Sequence, residues 1–90
     1  MISLYQCMKE ESAAILAAAK RLNNDQVEKI LILMEKSFKS NKKLVLTGVG
    51  KSGIVARKLA ATFTSIGLTS IYLNPLDALH GDLGIVDRDD

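Results

Sequence analysis

The 90-residue sequence contains one cysteine, one proline, no tryptophan and no long apolar run. Its single cysteine, Cys7, cannot form an intrachain disulfide, and any metal site would need ligands of another kind. The most apolar stretch, residues 30–34, is far shorter than a membrane span, and the N-terminus lacks a basic segment followed by an apolar core. We therefore predict a cytoplasmic chain with no membrane partner.

Aromatic side chains and excess positive charge are also scarce. The formal net charge is +2, and the basic residues are scattered along the sequence. A nucleic-acid interface needs basic residues gathered on one face, with stacking aromatics among them. We therefore predict no nucleic-acid partner. The aromatic residues are Tyr5, Phe38, Phe63 and Tyr72.

Two amphipathic segments occupy residues 1–40. Apolar residues recur at helical spacing from about residue 3 to residue 22, and a second helix is predicted to follow the polar triplet 23–25. Asp25 and Glu28 match a capping box at the start of that second helix. We expect the apolar stripes of both helices to form core or subunit contacts. The stripe of the second helix consists of Val27, Ile30, Leu31, Met34 and Phe38.

Residues 41–90 show the pattern of a strand, a helix and a second strand. The segment 43–47 is short, apolar and rich in β-formers, and helical spacing then runs to Gly67, which is placed for a left-handed C-cap. TSIYL, at 69–73, predicts the second strand. This order is typical of a right-handed βαβ crossover. We therefore predict the α/β class. Two parallel strands alone do not form a stable sheet, so further strands must come from a longer protein or another chain.

The segments that follow the two strands are expected to meet at one edge of the sheet. In open α/β sheets, ligands bind at the carboxyl edge of the strands. A glycine loop, GVGKSG at 48–53, follows the first strand. After the second strand, Asn74 and Pro75 predict the N-cap and first residue of a short helix ending at Leu79.

The glycine loop allows four interpretations. A P-loop needs a glycine where Val45 stands, so a nucleoside triphosphatase is rejected. Gly48, Gly50 and Gly53 satisfy the dinucleotide pattern G-x-G-x-x-G, but Asn74 occupies the place of the ribose-binding acid. A dinucleotide site is therefore kept only as an alternative.

The third and fourth interpretations differ in what they make of the loop lysine. In a purely structural interpretation, the glycines allow a tight turn and Ser52 caps the helix. This leaves Lys51 unexplained, because the positive end of a helix repels a cation unless an anion lies nearby. The fourth interpretation supplies that anion as a sugar phosphate or an enediolate, held by Lys51, the Ser52 hydroxyl and backbone N–H groups.

The sequence TGVGKSGIVARKLAATFTSIG, followed by NPLDALHGDLGIV, resembles the sugar isomerase (SIS) domain, and within it the D-arabinose 5-phosphate isomerase family. The similarity covers about residues 44–86. It implies a partial flavodoxin-like parallel-sheet domain, with 1–90 as its N-terminal part: a helical segment 1–40 and a βαβ unit 41–90. The implied activity interconverts ribulose 5-phosphate and arabinose 5-phosphate on the route to the lipopolysaccharide sugar Kdo.

The resemblance also implies roles for individual residues. Lys51 matches an active-site lysine that stabilises an oxyanion or helps ring opening, and His80 matches a substrate-contacting histidine able to act as acid or base. Leu68 stands where the family supplies a hydroxyl, which leucine lacks. Asn74 stands where several relatives carry a zinc-binding histidine, so we predict weak or no zinc binding and no cofactor. The predicted substrate-binding residues are Gly48, Gly50, Ser52, Gly53, Gly67, Leu68, Asn74 and His80.

The family's serine-rich phosphate loop and carboxylate bases follow a third strand, beyond Asp90. We therefore expect the chain alone to be inactive as an isomerase. Two other classes remain open: a regulatory module that binds a sugar phosphate without turnover, and an assembly fragment. In each case a homo-oligomer formed through the N-terminal helices and the open sheet edge is predicted.

Overall fold

The computed structural model describes residues Met1–Asp90, which form two compact units, Met1–Ile30 and Leu31–Asp90. Helix α1 spans Leu4–Arg21 and helix α2 spans Asn24–Lys39, so the boundary between the units falls within α2. The two predicted N-terminal helices are thus confirmed. No helix combines the length and the apolar character needed to cross a membrane.

Side-chain caps start both helices. The Ser3 hydroxyl accepts a hydrogen bond from the Gln6 N–H at 3.1 Å and caps α1. At α2, the Asn23 side-chain oxygen accepts from the N–H groups of Asp25 and Gln26, at 3.0 and 3.2 Å. The prediction that Asp25 caps this helix was therefore wrong, because Asn23 lies earlier and its amide already satisfies the free N–H groups.

The apolar stripes of the two helices are largely exposed. Neither α1 nor α2 contains a buried residue, and within the stripe of α2 only Met34 is half-buried. The interpretation of these stripes as core is therefore wrong for this chain. Their interpretation as subunit contacts stays a prediction.

The second unit contains the predicted βαβ unit. Strand β1 spans Leu44–Leu46, helix α3 spans Lys51–Ser65 and strand β2 spans Ser70–Tyr72. The strands pair in parallel, with Leu44 opposite Ser70 and Leu46 opposite Tyr72, and α3 packs on both of them. The α/β class and the order of elements are confirmed, with each strand one residue shorter at both ends than predicted.

The buried core of this unit is small. Its apolar members are two alanines of α3 and the two leucines that flank β2. Small side chains let the α3 backbone approach the sheet closely, so this core holds the start of α3 next to the ends of the strands. The buried apolar residues are Ala56, Ala60, Leu68 and Leu73.

A short helix, α4, spans Pro75–Leu79 directly after β2, as predicted. The Asn74 side-chain oxygen accepts from the N–H groups of Leu76 and Asp77, at 2.9 and 3.5 Å. The N-cap residue and the proline at the first helical position were therefore correctly predicted. The segment after α4 was predicted as a loop, but Asp82–Ile85 form one 3₁₀ turn.

The last residues of the chain return to the amino edge of β1. The Lys43 ammonium lies 2.7 Å from the Asp90 carboxylate and 3.3 Å from that of Asp87. The Asp90 side chain is only 3% exposed, and its carboxylate also accepts from the backbone N–H groups of Asp87 and Lys43, at 2.7 and 3.2 Å. The hydrogen bond from Lys43, with those from the backbone, lowers the pKa of Asp90 to about 2.

Candidate functional site

The glycine loop joins β1 to α3 through a backbone conformation that favours glycine. Gly50 is the N-cap residue of α3, with φ 62° and ψ −128°. Its carbonyl oxygen accepts from the N–H groups of Gly53 and Ile54, at 3.0 and 3.3 Å. This geometry explains why glycine occupies position 50, since a residue with a Cβ is strained at this positive φ.

The other two loop glycines are explained by close packing. A Cβ added to Gly48 would lie 2.8 Å from the Ser52 carbonyl carbon and 2.9 Å from the Gly53 nitrogen. A Cβ added to Gly53 would lie 2.7 Å from the Gly48 carbonyl oxygen and 2.8 Å from the Tyr72 hydroxyl. The loop therefore folds back against the first turn of α3 at a separation that no larger residue permits.

A run of backbone N–H groups in this loop has no acceptor in the chain. The N–H groups of residues 49–52 donate no hydrogen bond to the backbone or to a side chain, and Gly50 provides no side-chain cap. The Ser52 hydroxyl also makes no hydrogen bond, so the interpretation in which Ser52 caps the helix was wrong. Such N–H groups at the positive end of a helix favour an anion.

Lys51 is the first residue of α3 and is exposed. Its ammonium forms no ion pair: the only basic side chains in salt bridges are those of Lys39 and Lys43. The free N–H groups, the Ser52 hydroxyl and this ammonium all belong to residues 49–52, at the start of α3. Together they can hold a dianionic phosphate or stabilise an oxyanion.

Sequence analysis missed three side chains at this edge of the sheet, of which Tyr72 and Arg57 support the glycine loop. The Tyr72 hydroxyl donates to the Gly48 carbonyl oxygen at 2.8 Å, and the Arg57 guanidinium lies 4.8 Å from the centre of the Tyr72 ring. The Thr47 hydroxyl donates to the Leu73 carbonyl oxygen at 2.6 Å and ties together the ends of the two strands. Alternation along β2 could have indicated that Tyr72 shares one face with Ser70, but not that its hydroxyl reaches the loop.

Asn74 lies at the same carboxyl edge as the loop, because it is the second residue after β2. Its side-chain oxygen is committed to capping α4, which leaves its amide nitrogen as the free polar group. His80 is the C-cap residue of α4, is exposed, and makes no side-chain hydrogen bond. The fold thus brings the loop and Asn74 to one edge, with His80 at the far end of the short helix that begins there.

The structure does not bring Gly67 and Leu68 to this edge. Both precede β2, whereas Asn74 follows it, so at about 3.3 Å per residue they lie up to about 20–23 Å away along the strand direction. Gly67 has φ 100° after the end of α3, which confirms its predicted C-cap conformation, and Leu68 is buried. With three lysines and Phe38, these two residues line a hollow of about 470 Å³ at the amino edge. Within this chain they cannot share a cleft with Lys51.

No group of three His, Cys, Asp or Glu side chains lies close enough together to hold a metal ion. The zinc prediction for Asn74 remains a prediction.

Comparisons with known proteins show which proteins the chain resembles. The chain is 38% identical over 84 residues to arabinose 5-phosphate isomerase KpsF of Escherichia coli, an alignment that covers 93% of the chain and 25% of that protein. It is 41% identical over 86 residues to an uncharacterised protein of Helicobacter pylori, covering 94% of the chain and 26% of that protein. The resemblance to the arabinose 5-phosphate isomerase family is confirmed. No protein-family model matches the chain.

A solved structure shows the same fold. The crystal structure of a Bacteroides fragilis protein, named as a phosphosugar isomerase involved in capsule formation, superposes with a TM-score of 0.80 at 34% sequence identity. The match covers 98% of this chain and 47% of that one. The chain spans about a quarter of the length of the curated relatives it matches.

Proposed function

We propose that this chain binds a phosphorylated pentose at its glycine loop, as part of a protein of the arabinose 5-phosphate isomerase kind. The observation that carries the proposal is the run of N–H groups at residues 49–52 without an acceptor, together with the ammonium of Lys51, which forms no ion pair. A cation at the positive end of a helix is unfavourable by itself and becomes favourable when an anion lies between. The names of the relatives support a sugar phosphate as that anion.

In this proposal Lys51 and His80 have different tasks. An aldose–ketose isomerase opens the sugar ring and moves a proton between C1 and C2 through an enediol. Lys51, beside the loop N–H groups, stabilises the oxygen that becomes negative. His80, exposed at the end of α4, serves as acid or base once a substrate brings its reacting carbons near the imidazole. Gly48, Gly50, Ser52, Gly53 and Asn74 shape or line the binding edge.

We further propose that the 90-residue chain does not turn over substrate by itself. A proton transfer between two carbons needs a base held in contact with both. His80 is the one imidazole of the chain, and no hydrogen bond holds it in such a position. Asp87 and Asp90 are bound to Lys43 at the opposite edge of the sheet, and only Asp77 and Asp82 follow β2 closely. No hydrogen bond orients either of the latter two carboxylates towards the loop.

Calorimetry with ribulose 5-phosphate tests the binding proposal. Lys51→Met removes the charge and keeps much of the length, and it should weaken binding by about 10- to 100-fold, the loss expected for a charge-assisted hydrogen bond. Lys58→Met, an exposed lysine farther along α3, is the matched control and should bind as the wild type does. Equal affinity in both variants would contradict a role for Lys51.

The alternatives give different outcomes in the same experiments. Tight binding of a nicotinamide dinucleotide, with none of the pentose phosphate, would favour the dinucleotide site. Binding of ribulose 5-phosphate without turnover agrees with an incomplete isomerase or a regulatory module. Turnover by the wild-type chain that Lys51→Met abolishes would contradict the proposed inactivity.

We also propose that the chain self-associates through its N-terminal helices and the open edge of its sheet. The support is the exposed apolar stripes of α1 and α2, which contain no buried residue. Exposed apolar stripes of this extent mark contact surfaces in soluble proteins. Light scattering across a range of concentrations should show a mass above that of one chain, and a constant monomer mass would refute this proposal.

A further inference from the structure

Tyr72 contacts the glycine loop at the Gly48–Val49 peptide unit and fixes the orientation of that peptide. Its hydroxyl extends from the last residue of β2 and donates to the Gly48 carbonyl oxygen at 2.8 Å. The same oxygen packs against Gly53, where an added Cβ would lie 2.7 Å from it. The Gly48 carbonyl is therefore held between a hydrogen-bond donor and the first turn of α3.

The direction of this carbonyl fixes the direction of the Val49 N–H. In a trans peptide unit the C=O and N–H bonds point in opposite directions, and the chain contains no cis peptide. Because the Gly48 oxygen points towards Tyr72 and Gly53, the Val49 N–H points away from them. That N–H has no acceptor in the chain and is the first of the free donors of the loop.

The Tyr72 ring is itself held in place. The Arg57 guanidinium lies 4.8 Å from the ring centre, within the range of a cation–π contact. Strand pairing fixes the other end of the residue, with Tyr72 opposite Leu46. The hydroxyl thus reaches the loop from a ring with little rotational freedom.

We propose that Tyr72 is a positioning residue: through the Gly48 carbonyl, its hydroxyl orients the Val49 N–H as a donor to the anion held by the glycine loop. The inference rests on the proposed function and adds a residue that does not touch the anion itself. Thr47 provides a contrast at the same edge. Its hydroxyl ties the strand ends through the Leu73 carbonyl at 2.6 Å but makes no hydrogen bond with the Gly48–Val49 peptide unit.

The test compares Tyr72→Phe with Thr47→Val in the full chain, since each substitution removes one hydroxyl hydrogen bond at this edge. Ribulose 5-phosphate and inorganic phosphate are titrated by calorimetry, and the amides of residues 49–52 are followed in ¹H–¹⁵N spectra. Tyr72→Phe should weaken binding by roughly three- to tenfold, the loss of one hydrogen bond. The ligand-induced shift of the Val49 amide should shrink while those of Lys51 and Ser52 persist. Thr47→Val should match the wild type.

Two results overturn the inference while leaving the proposed function intact. One is Tyr72→Phe with the affinity and the Val49 shift of the wild type. The other is an equal loss of all the loop shifts in both variants, because general loosening of the sheet edge would then explain the effect. A wild-type chain that binds neither ligand overturns the proposed function and this inference together.

Discussion

Replacing Gly53 by alanine should destabilise the second unit, although alanine is the better helix former. The added Cβ would lie 2.7 Å from the Gly48 carbonyl oxygen and 2.8 Å from the Tyr72 hydroxyl. One of these is backbone, and the other belongs to a ring held by Arg57, so neither moves freely. The loop must shift away from α3, and the hydrogen bond between Tyr72 and Gly48 lengthens or breaks.

The expected cost is the balance of three contributions. Overpacking of this kind costs about 1–3 kcal/mol. A broken hydrogen bond adds about 1 kcal/mol. The higher helix propensity of alanine relative to glycine offsets about 1 kcal/mol of this destabilisation. The free energy of unfolding should therefore fall by about 1–3 kcal/mol, which lowers the melting temperature by at least about 4 °C in a domain of this size.

Urea unfolding followed by circular dichroism measures this difference, with Gly84→Ala as the control. A Cβ at Gly84 meets no atom within 4 Å, and Gly84 is not among the glycines with positive φ. Its substitution should change the free energy of unfolding by no more than about 0.5 kcal/mol. If Gly53→Ala proves as stable as Gly84→Ala, the close approach of the loop to α3 is wrong.

Two further predictions concern the backbone and the ion cluster. Gly50→Ala should lower the free energy of unfolding by about 1–2 kcal/mol, because φ is +62° there, although the added Cβ meets no neighbour. Urea unfolding that gives Gly50→Ala the same free energy of unfolding as Gly84→Ala would contradict this. The folded-state pKa of Asp90, about 2, lies below its unfolded value of 3.8, so the stability it contributes is present above pH 3.8 and is lost as the pH falls towards 2. Asp90→Asn should remove that part of the pH dependence of the melting temperature, whereas Asp89→Asn, at φ 72° where asparagine is tolerated, should keep it.

Local chemistry made much of the fold predictable. Helical spacing, the glycine after α3 and the Asn-Pro pair before α4 each depend on a few neighbouring residues, and the structure has these elements where they were expected. The cap of α2 was misassigned because two adjacent polar residues, Asn23 and Asp25, both suit that position. Burial of the apolar stripes could not be judged from periodicity, which reports which face is apolar but not what covers it.

The site was predictable in part. The loop residues Gly48 to Gly53 are contiguous, so their pattern alone predicted the tight turn between β1 and α3, and its use as an anion site stays a prediction. Tyr72 and Thr47 act through contacts across 24 and 26 residues of sequence, and no local pattern signals such pairs. Gly67 and Leu68 were assigned from the resemblance alone, and strand direction places them at the other edge of the sheet.

The register of the two strands has a consequence for insertions and deletions. Side chains alternate between the two faces of a strand, so a slip of one residue in β2 would bring Ile71 or Leu73 to the place of Tyr72. Neither carries a hydroxyl, and the Gly48 carbonyl would lose its donor. The connection at 66–69, at the edge farthest from the glycine loop, should therefore tolerate substitution of the exposed Ile66 and Thr69 far better than any change in its length, whereas Gly67, at φ 100°, favours glycine.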